Sequence, residues 1–114
     1  MKKIVLLAGM WLSSDVIADR LETPSYRIQI ERFCDEGEVT CNKVRYYGVS
    51  KRSGHTLFLM GESMHSLCKD GITPCRFLGY HFMYETFEYF VYESGLFLVK
   101  EKDQIKVEEQ GEWH

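Results

Sequence analysis

Proline is scarce in this 114-residue chain, which holds only Pro24 and Pro74, and helical periodicity is almost absent. No linker, low-complexity tract or Pro-rich stretch divides it, so the chain forms one domain at most. No apolar run reaches the roughly 20 residues that a bilayer-spanning helix needs. Catalytic signatures are missing too: there is no G-x-S-x-G, no H-E-x-x-H and no phosphate-binding Gly loop. Ser63 and Ser66 flank His65, but a serine beside a histidine is not a triad without an orienting acid. An enzyme is therefore not expected, and no cofactor is implied. A net charge of −3 offers no field suited to nucleic acid or anionic lipid.

What the chain does have is a leader-like start and four cysteines in two equal spacings. Lys2 and Lys3 form a positive n-region, Ile4 to Leu12 an apolar h-region, and Val16-Ile17-Ala18 a small-residue cleavage site. Residues 1–18 read as a signal peptide, and residues 19–114 as a single β-rich domain. Cleavage removes Lys2, Lys3 and Asp15, leaving a mature charge of −4. Met10 stands after Leu6-Leu7-Ala8-Gly9, where a bacterial lipoprotein would carry its lipidated Cys, so no membrane anchor is expected after cleavage. The mature protein is expected to be periplasmic or secreted.

Cys34 and Cys41 bracket DEGEVT, and Cys68 and Cys75 bracket KDGITP. Four cysteines allow three pairings. The pairs Cys34–Cys41 and Cys68–Cys75 are preferred, because each Gly turn brings its own two thiols to bonding distance. In an exported chain such bridges are structural. A thioredoxin-like site would need C-x-x-C, and a tetrahedral zinc site closer pairs.

From Tyr26 onward the pattern is strand after strand. Tyr26 to Phe33 alternates, with Tyr26, Ile28 and Ile30 on one face. The pattern resumes over Val39–Val49, His55–Met60, Arg76–Tyr84, Phe87–Tyr92, Leu96–Val99 and Ile105–Val107. Turns are expected at Glu36-Gly37, Lys51–Gly54, Glu85-Thr86, Ser94-Gly95 and Lys102–Gln104. Residues 61–67 fit either a bulged strand or one helical turn, and residues 108–114 read as a polar, frayed tail. Seven or eight strands joined by short turns pair antiparallel. Such a meander closes as a small barrel or folds as a two-layer sandwich, because an open sheet leaves edges exposed.

Arg76–Tyr84 carries bulky groups on both faces: Leu78, Tyr80, Phe82 and Tyr84 on one, Phe77, His81 and Met83 on the other. One face must point outward, which makes it a contact surface rich in the residue types that interfaces favour. Lys43, Arg45, Lys51 and Arg52 make one hairpin locally basic, able to steer an acidic partner. The partner-binding candidates are Tyr80, His81, Met83 and Tyr84, with Lys51 and Arg52 at the hairpin tip. His55, Met60, Met64, His65, His81 and Met83 also admit a copper(I) reading, since thioether and imidazole suit that ion, although nothing fixes a coordination geometry.

The stretch Ser66-Leu-Cys-Lys-Asp-Gly-Ile-Thr-Pro-Cys-Arg-Phe-Leu-Gly-Tyr80 resembles a segment of small exported proteins of Gram-negative bacteria. That resemblance, extending from about Cys41 to Trp113, implies export and a β-rich fold and carries no activity with it. In size, compartment and bridged β architecture the chain is also similar to periplasmic lysozyme inhibitors and to toxin-immunity proteins, whose motif residues it lacks. The expected function is an exported binding protein that neutralises or inhibits a partner protein, a toxin or hydrolase, through a rigid β surface. The alternative is a carrier holding a small apolar ligand in a barrel lumen. A filled interior with an exposed aromatic strip favours the first, and an open apolar lumen the second.

Overall fold

The computed structural model describes residues 17–34 and 40–114. The expected leader as far as Val16, and the expected Glu36-Gly37 turn, lie outside the described residues. Nine strands follow in chain order: β1 (Ile17–Glu22), β2 (Tyr26–Arg32), β3 (Val44–Ser50), β4 (Thr56–Leu67), β5 (Pro74–Tyr84), β6 (Phe87–Tyr92), β7 (Leu96–Glu101), β8 (Gln104–Gln110) and β9 (Glu112–Trp113). Each pairs antiparallel with the next from β1 to β8. The described residues contain no helix. The all-β antiparallel meander is as expected, and it forms a nearly closed barrel rather than a sandwich.

Closure comes from the segment expected to fray. β8 pairs with β7 as far as Leu96↔Gln110, and β9 then pairs with β1 through Leu21↔Trp113 and Glu22↔Glu112. The Gly111 N–H donates to the Gly95 carbonyl at 2.8 Å, and the His114 N–H to the Arg20 carbonyl at 2.8 Å. Backbone groups that a free edge would leave unpaired are thereby satisfied. Trp113 packs against the core, and its indole N–H donates to the Glu93 carbonyl at 3.0 Å. Charged side chains along Glu108–Glu112 hid this from a pattern reading, because a strand that faces water on one side needs few apolar residues.

β1 also went unread, since it straddles the expected cleavage point. A chain cut after Ala18 keeps Asp19 to Glu22 paired with Ile30 to Arg27. Its inward residue Leu21 is fully buried. Thr23-Pro24-Ser25 then turns the chain. The buried Thr23 hydroxyl accepts from the Tyr26 N–H at 3.0 Å, holding the turn that Pro24 preforms.

The core follows the period-2 pattern. Ile28 and Ile30 of β2, Val44 and Tyr46 of β3, and Phe97 and Val99 of β7 all point inward. Burying each such side chain contributes about 1.5–3 kcal/mol. The expected strand from Val39 starts instead at Val44. Cys41 breaks the ladder there by bonding Cys34, donating its N–H to Ser63 Oγ at 2.8 Å and accepting from the Ser63 N–H at 2.6 Å. Both expected bridges, Cys34–Cys41 and Cys68–Cys75, are present.

Residues 61–67 belong to β4 as a bulged strand. Met64 pairs with Gly79 but His65 pairs with Phe77, so Leu78 is the extra residue. The bulge reverses the alternation expected for Arg76–Tyr84: Phe77 packs on the core with Tyr80 and Phe82 rather than sharing a face with His81 and Met83. Gly79 sits at φ +149°, and a Cβ there would lie 2.3 Å from the Val91 carbonyl oxygen and 2.7 Å from the Tyr92 Cα. Gly71, at φ +75° in the Cys68–Cys75 loop, has open space around it. Urea unfolding should therefore separate the two. Gly79→Ala is expected to cost about 3 kcal/mol or more, combining strain with a clash against backbone. Gly71→Ala should cost only about 1–2 kcal/mol, from the φ penalty alone.

Candidate functional site

The barrel interior is filled across its middle. The Tyr46 ring lies 5.3 Å from Phe82, 5.5 Å from Tyr89 and 6.3 Å from Phe97, with Tyr26 5.3 Å from Phe97 on the same side. Tyr46 also covers Gly48, where a Cβ would meet its hydroxyl at 2.4 Å, so glycine is required beneath the ring. Burial pushes the Tyr46 phenol far up, with the Tyr89 and Tyr26 phenols adding to it, and burial likewise raises Tyr89. These hydroxyls stay protonated at neutral pH.

Cavities open at both ends of the strands. The first, about 350 Å³, opens between Tyr26, Tyr46, Leu57, Phe87 and Tyr89, with His55 and Lys106 near it. The second, about 400 Å³, is lined by Asp19, Arg32, Phe77, Tyr80, Glu93 and Trp113. Burial raises the Tyr80 phenol there, while Arg32 opposes the rise and Asp19 and Glu93 add to it.

Exposed apolar surface gathers on the outer face instead. Phe58 is 62% exposed, Met60 60%, Met83 52% and Phe33 41%. Tyr47 and Phe58, paired across β3 and β4, hold their rings 4.5 Å apart. The Arg45 guanidinium lies 5.2 Å from the Phe33 ring and 6.0 Å from Phe58 while bonding Glu31. Farther along, the His81 ring lies 4.9 Å from Phe90, and its Nε2 is 3.2 Å from Glu88. Lys100 lies 5.9 Å from Phe90, and Phe90 stacks on Tyr92 at 6.0 Å. The result is a rigid aromatic and thioether strip with charges of both signs around it.

The expected site residues divide accordingly. His81 is partly buried on the outer face, and Met83 and Tyr84 are exposed. Tyr80 is only 3% exposed and points inward, so it is not part of the outer surface, contrary to expectation. Lys51 does not project from a hairpin tip: its ammonium donates to the Thr23 carbonyl at 2.8 Å and pairs with Glu22 at 2.9 Å. Arg52 remains exposed in that turn. The basic hairpin is largely neutralised, because Arg45 also has its carboxylate.

The copper set is divided between the two faces of the sheet, with Met60 on the outer one. His81 and Met83 face outward, while His65 packs against Phe77 on the core side at 5.6 Å. Among the described residues, no three His, Cys, Asp or Glu side chains gather at metal-binding distance. Sequence reasoning missed Phe33 and Phe58, and it gave Arg45 and Met60 other roles, in a basic hairpin and in a copper set. The signal for Phe58 and Met60 was present in Leu57-Phe58-Leu59-Met60, a run apolar at every position, which marks a strand covered or contacted on both faces. No family model, no curated protein and no solved structure matches the chain.

The Glu22 carboxylate accepts from Lys51 and, at 2.8 Å, from Arg27, and these two cations hold its pKa at about 2 against an ordinary 4.5. A depressed carboxylate stabilises the fold fully above its unfolded pKa and loses that contribution as pH falls towards its folded one. The Glu22 contribution is thus complete above pH 4.5 and disappears between 4.5 and about 2. Stability measured across that window should fall less steeply in Glu22→Gln than in the wild type. Equal slopes would show that the pair with Lys51 is not maintained in solution.

Proposed function

We propose that this protein is an exported binding protein that neutralises a partner protein, of the immunity or hydrolase-inhibitor kind, by covering it with the outer face of the barrel. One observation carries this reading. Phe33, Phe58, Met60 and Met83 are each more than two-fifths exposed; Phe58 and Met60 stand on β4 and Met83 on β5, and Phe33 directly follows β2. Large apolar residues at such density mark an interaction site on a monomer. The surrounding Glu31–Arg45 and His81–Glu88 pairs form the polar rim that excludes water around an apolar centre.

Supporting features come from construction. Two disulfides fit an oxidising environment outside the cytosol, in agreement with a leader over residues 1–18. A bridged and nearly closed barrel presents its surface preorganised, so association loses little conformational entropy. The filled interior favours surface recognition over an apolar carrier. Within the strip, Arg45 is held between two rings and the Met60 and Met83 thioethers adapt to a partner's contour. The partner surface that fits is apolar or aromatic at its centre, with charges of both signs at its border.

The test combines survival with a surface variant. A strain lacking the gene should lose viability when challenged with competitor cells or cell-wall hydrolases, and the wild-type gene should restore it. The Phe58→Asp/Met60→Asp double variant should keep the wild-type circular dichroism spectrum yet fail to restore viability. Its affinity for the captured partner should fall by at least about 2 kcal/mol, or roughly thirtyfold. Normal survival of the deletion strain, or full rescue by the double variant, would contradict the proposal.

A further inference from the structure

The inner face of β2 runs Tyr26, Ile28, Ile30 and then, against the pattern, Arg32. The alternation that buries the two isoleucines carries a guanidinium into the same interior, at the end of the barrel away from Tyr46. Its Nε–H is buried and finds no acceptor. A buried donor left unsatisfied is costly, and for a charged group the penalty is larger. Two carboxylates, Asp19 and Glu93, line the cavity with Arg32, yet neither forms an ion pair with it. The remaining walls are aromatic, from Phe77, Tyr80 and Trp113.

Each of these facts limits what can occupy about 400 Å³ of space. Arg32 asks for an anionic acceptor, and carboxylate is the group its fork geometry matches. A simple anion is disfavoured, because Asp19 and Glu93 would repel it and leave the cavity with an excess negative charge. A simple cation would leave the Arg32 donor unanswered. The aromatic faces accept aliphatic chains and ammonium groups through their quadrupoles. With one positive and two negative groups around it, the cavity is balanced by a molecule bearing one carboxylate and two ammonium groups.

We propose that this mouth of the barrel binds a small basic α-amino acid, whose carboxylate pairs with the Arg32 guanidinium and whose ammonium groups lie towards Asp19 and Glu93. The site is separate from the outer strip, and it stands whether or not that strip covers a partner protein.

L-lysine is the probe, and cadaverine, the same chain without its carboxylate, is the control. Nuclear magnetic resonance of the purified protein offers two reporters in the cavity: the Arg32 Nε–H and the Trp113 indole N–H. L-lysine should move both signals and saturate at millimolar concentration or below. Cadaverine should bind at least roughly tenfold more weakly, the value of one charge-assisted contact. Arg32→Gln should bring L-lysine down to the affinity of cadaverine while leaving cadaverine no weaker. Should that variant fail to fold, the comparison of the two ligands on the wild type still decides the matter. Unmoved signals with L-lysine up to about 10 mM, a concentration that would reveal any affinity of physiological use, would overturn the proposal. So would equal binding of the two compounds.

Discussion

Everything in this barrel depends on the last strand segment pairing on both sides. β8 continues the meander from β7, and two residues later β9 joins β1, so the first and last strands become neighbours. Without that second ladder, β1 would be an open edge, and the inward side chains Leu21, Phe97 and Val99 would line an open sheet rather than a core. A further link reinforces the seam where the Ser25 N–H donates to Glu109 Oε1 at 2.9 Å, tying the first turn to β8. Gly111, between the two ladders, is buried and could not carry a side chain, since a Cβ would stand 2.5 Å from the Glu22 carbonyl oxygen. Closure is thus built from backbone pairing, with Trp113 as its apolar fastener.

Closing the sheet sorts the side chains into two populations with different roles. Rings directed inward fill the middle and leave space only at the ends, where polar residues begin. Rings directed outward have no layer to cover them, and across β3 to β6 they accumulate into an exposed strip. The disulfides lie outside this seam. Each closes a loop over a sequence separation of seven, with Cys41 three residues ahead of β3 and Cys75 within β5. On the chain-entropy account such loops contribute about 2.5 kcal/mol apiece, a large share of what a domain of this size retains.

Much of the architecture was legible from alternation and turn chemistry. Tyr26, Ile28 and Ile30 fall on one inward face as their spacing indicates, and the Glu85-Thr86 and Lys102-Asp103 turns lie where they were expected, with Glu85 and Lys102 at positive φ. Both cysteine pairs followed from their own turns. The failures share a cause, which is that pattern reading sees one strand at a time. The Leu78 bulge reverses the faces of β5, and nothing within residues 74–84 announces it except a glycine. Phe77, ahead of the bulge, therefore lies on the core side rather than with His81 and Met83, whereas Tyr80 keeps its expected face with Phe82, and that face is the inner one. Glu112 and Trp113 read as part of a tail because their pairing partners in β1 lie some ninety residues earlier. Arg32 was legible in principle, since it continues the parity of Ile28 and Ile30, but an arginine at that position reads as solvent-facing until the barrel is seen to close around it. Lys51 similarly lost its expected role to Glu22, a residue of a strand that was not anticipated.

The central claim is the closure itself, and the most direct measurement is the set of cross-strand nuclear Overhauser effects and amide exchange rates at the β1–β9 seam. The account predicts proton contacts between Leu21 and Trp113 and between Glu22 and Glu112, with the amides of this seam exchanging as slowly as those of β2 and β3. Absent contacts, together with rapid exchange over residues 108–114 and along β1, would show an open sheet and contradict it.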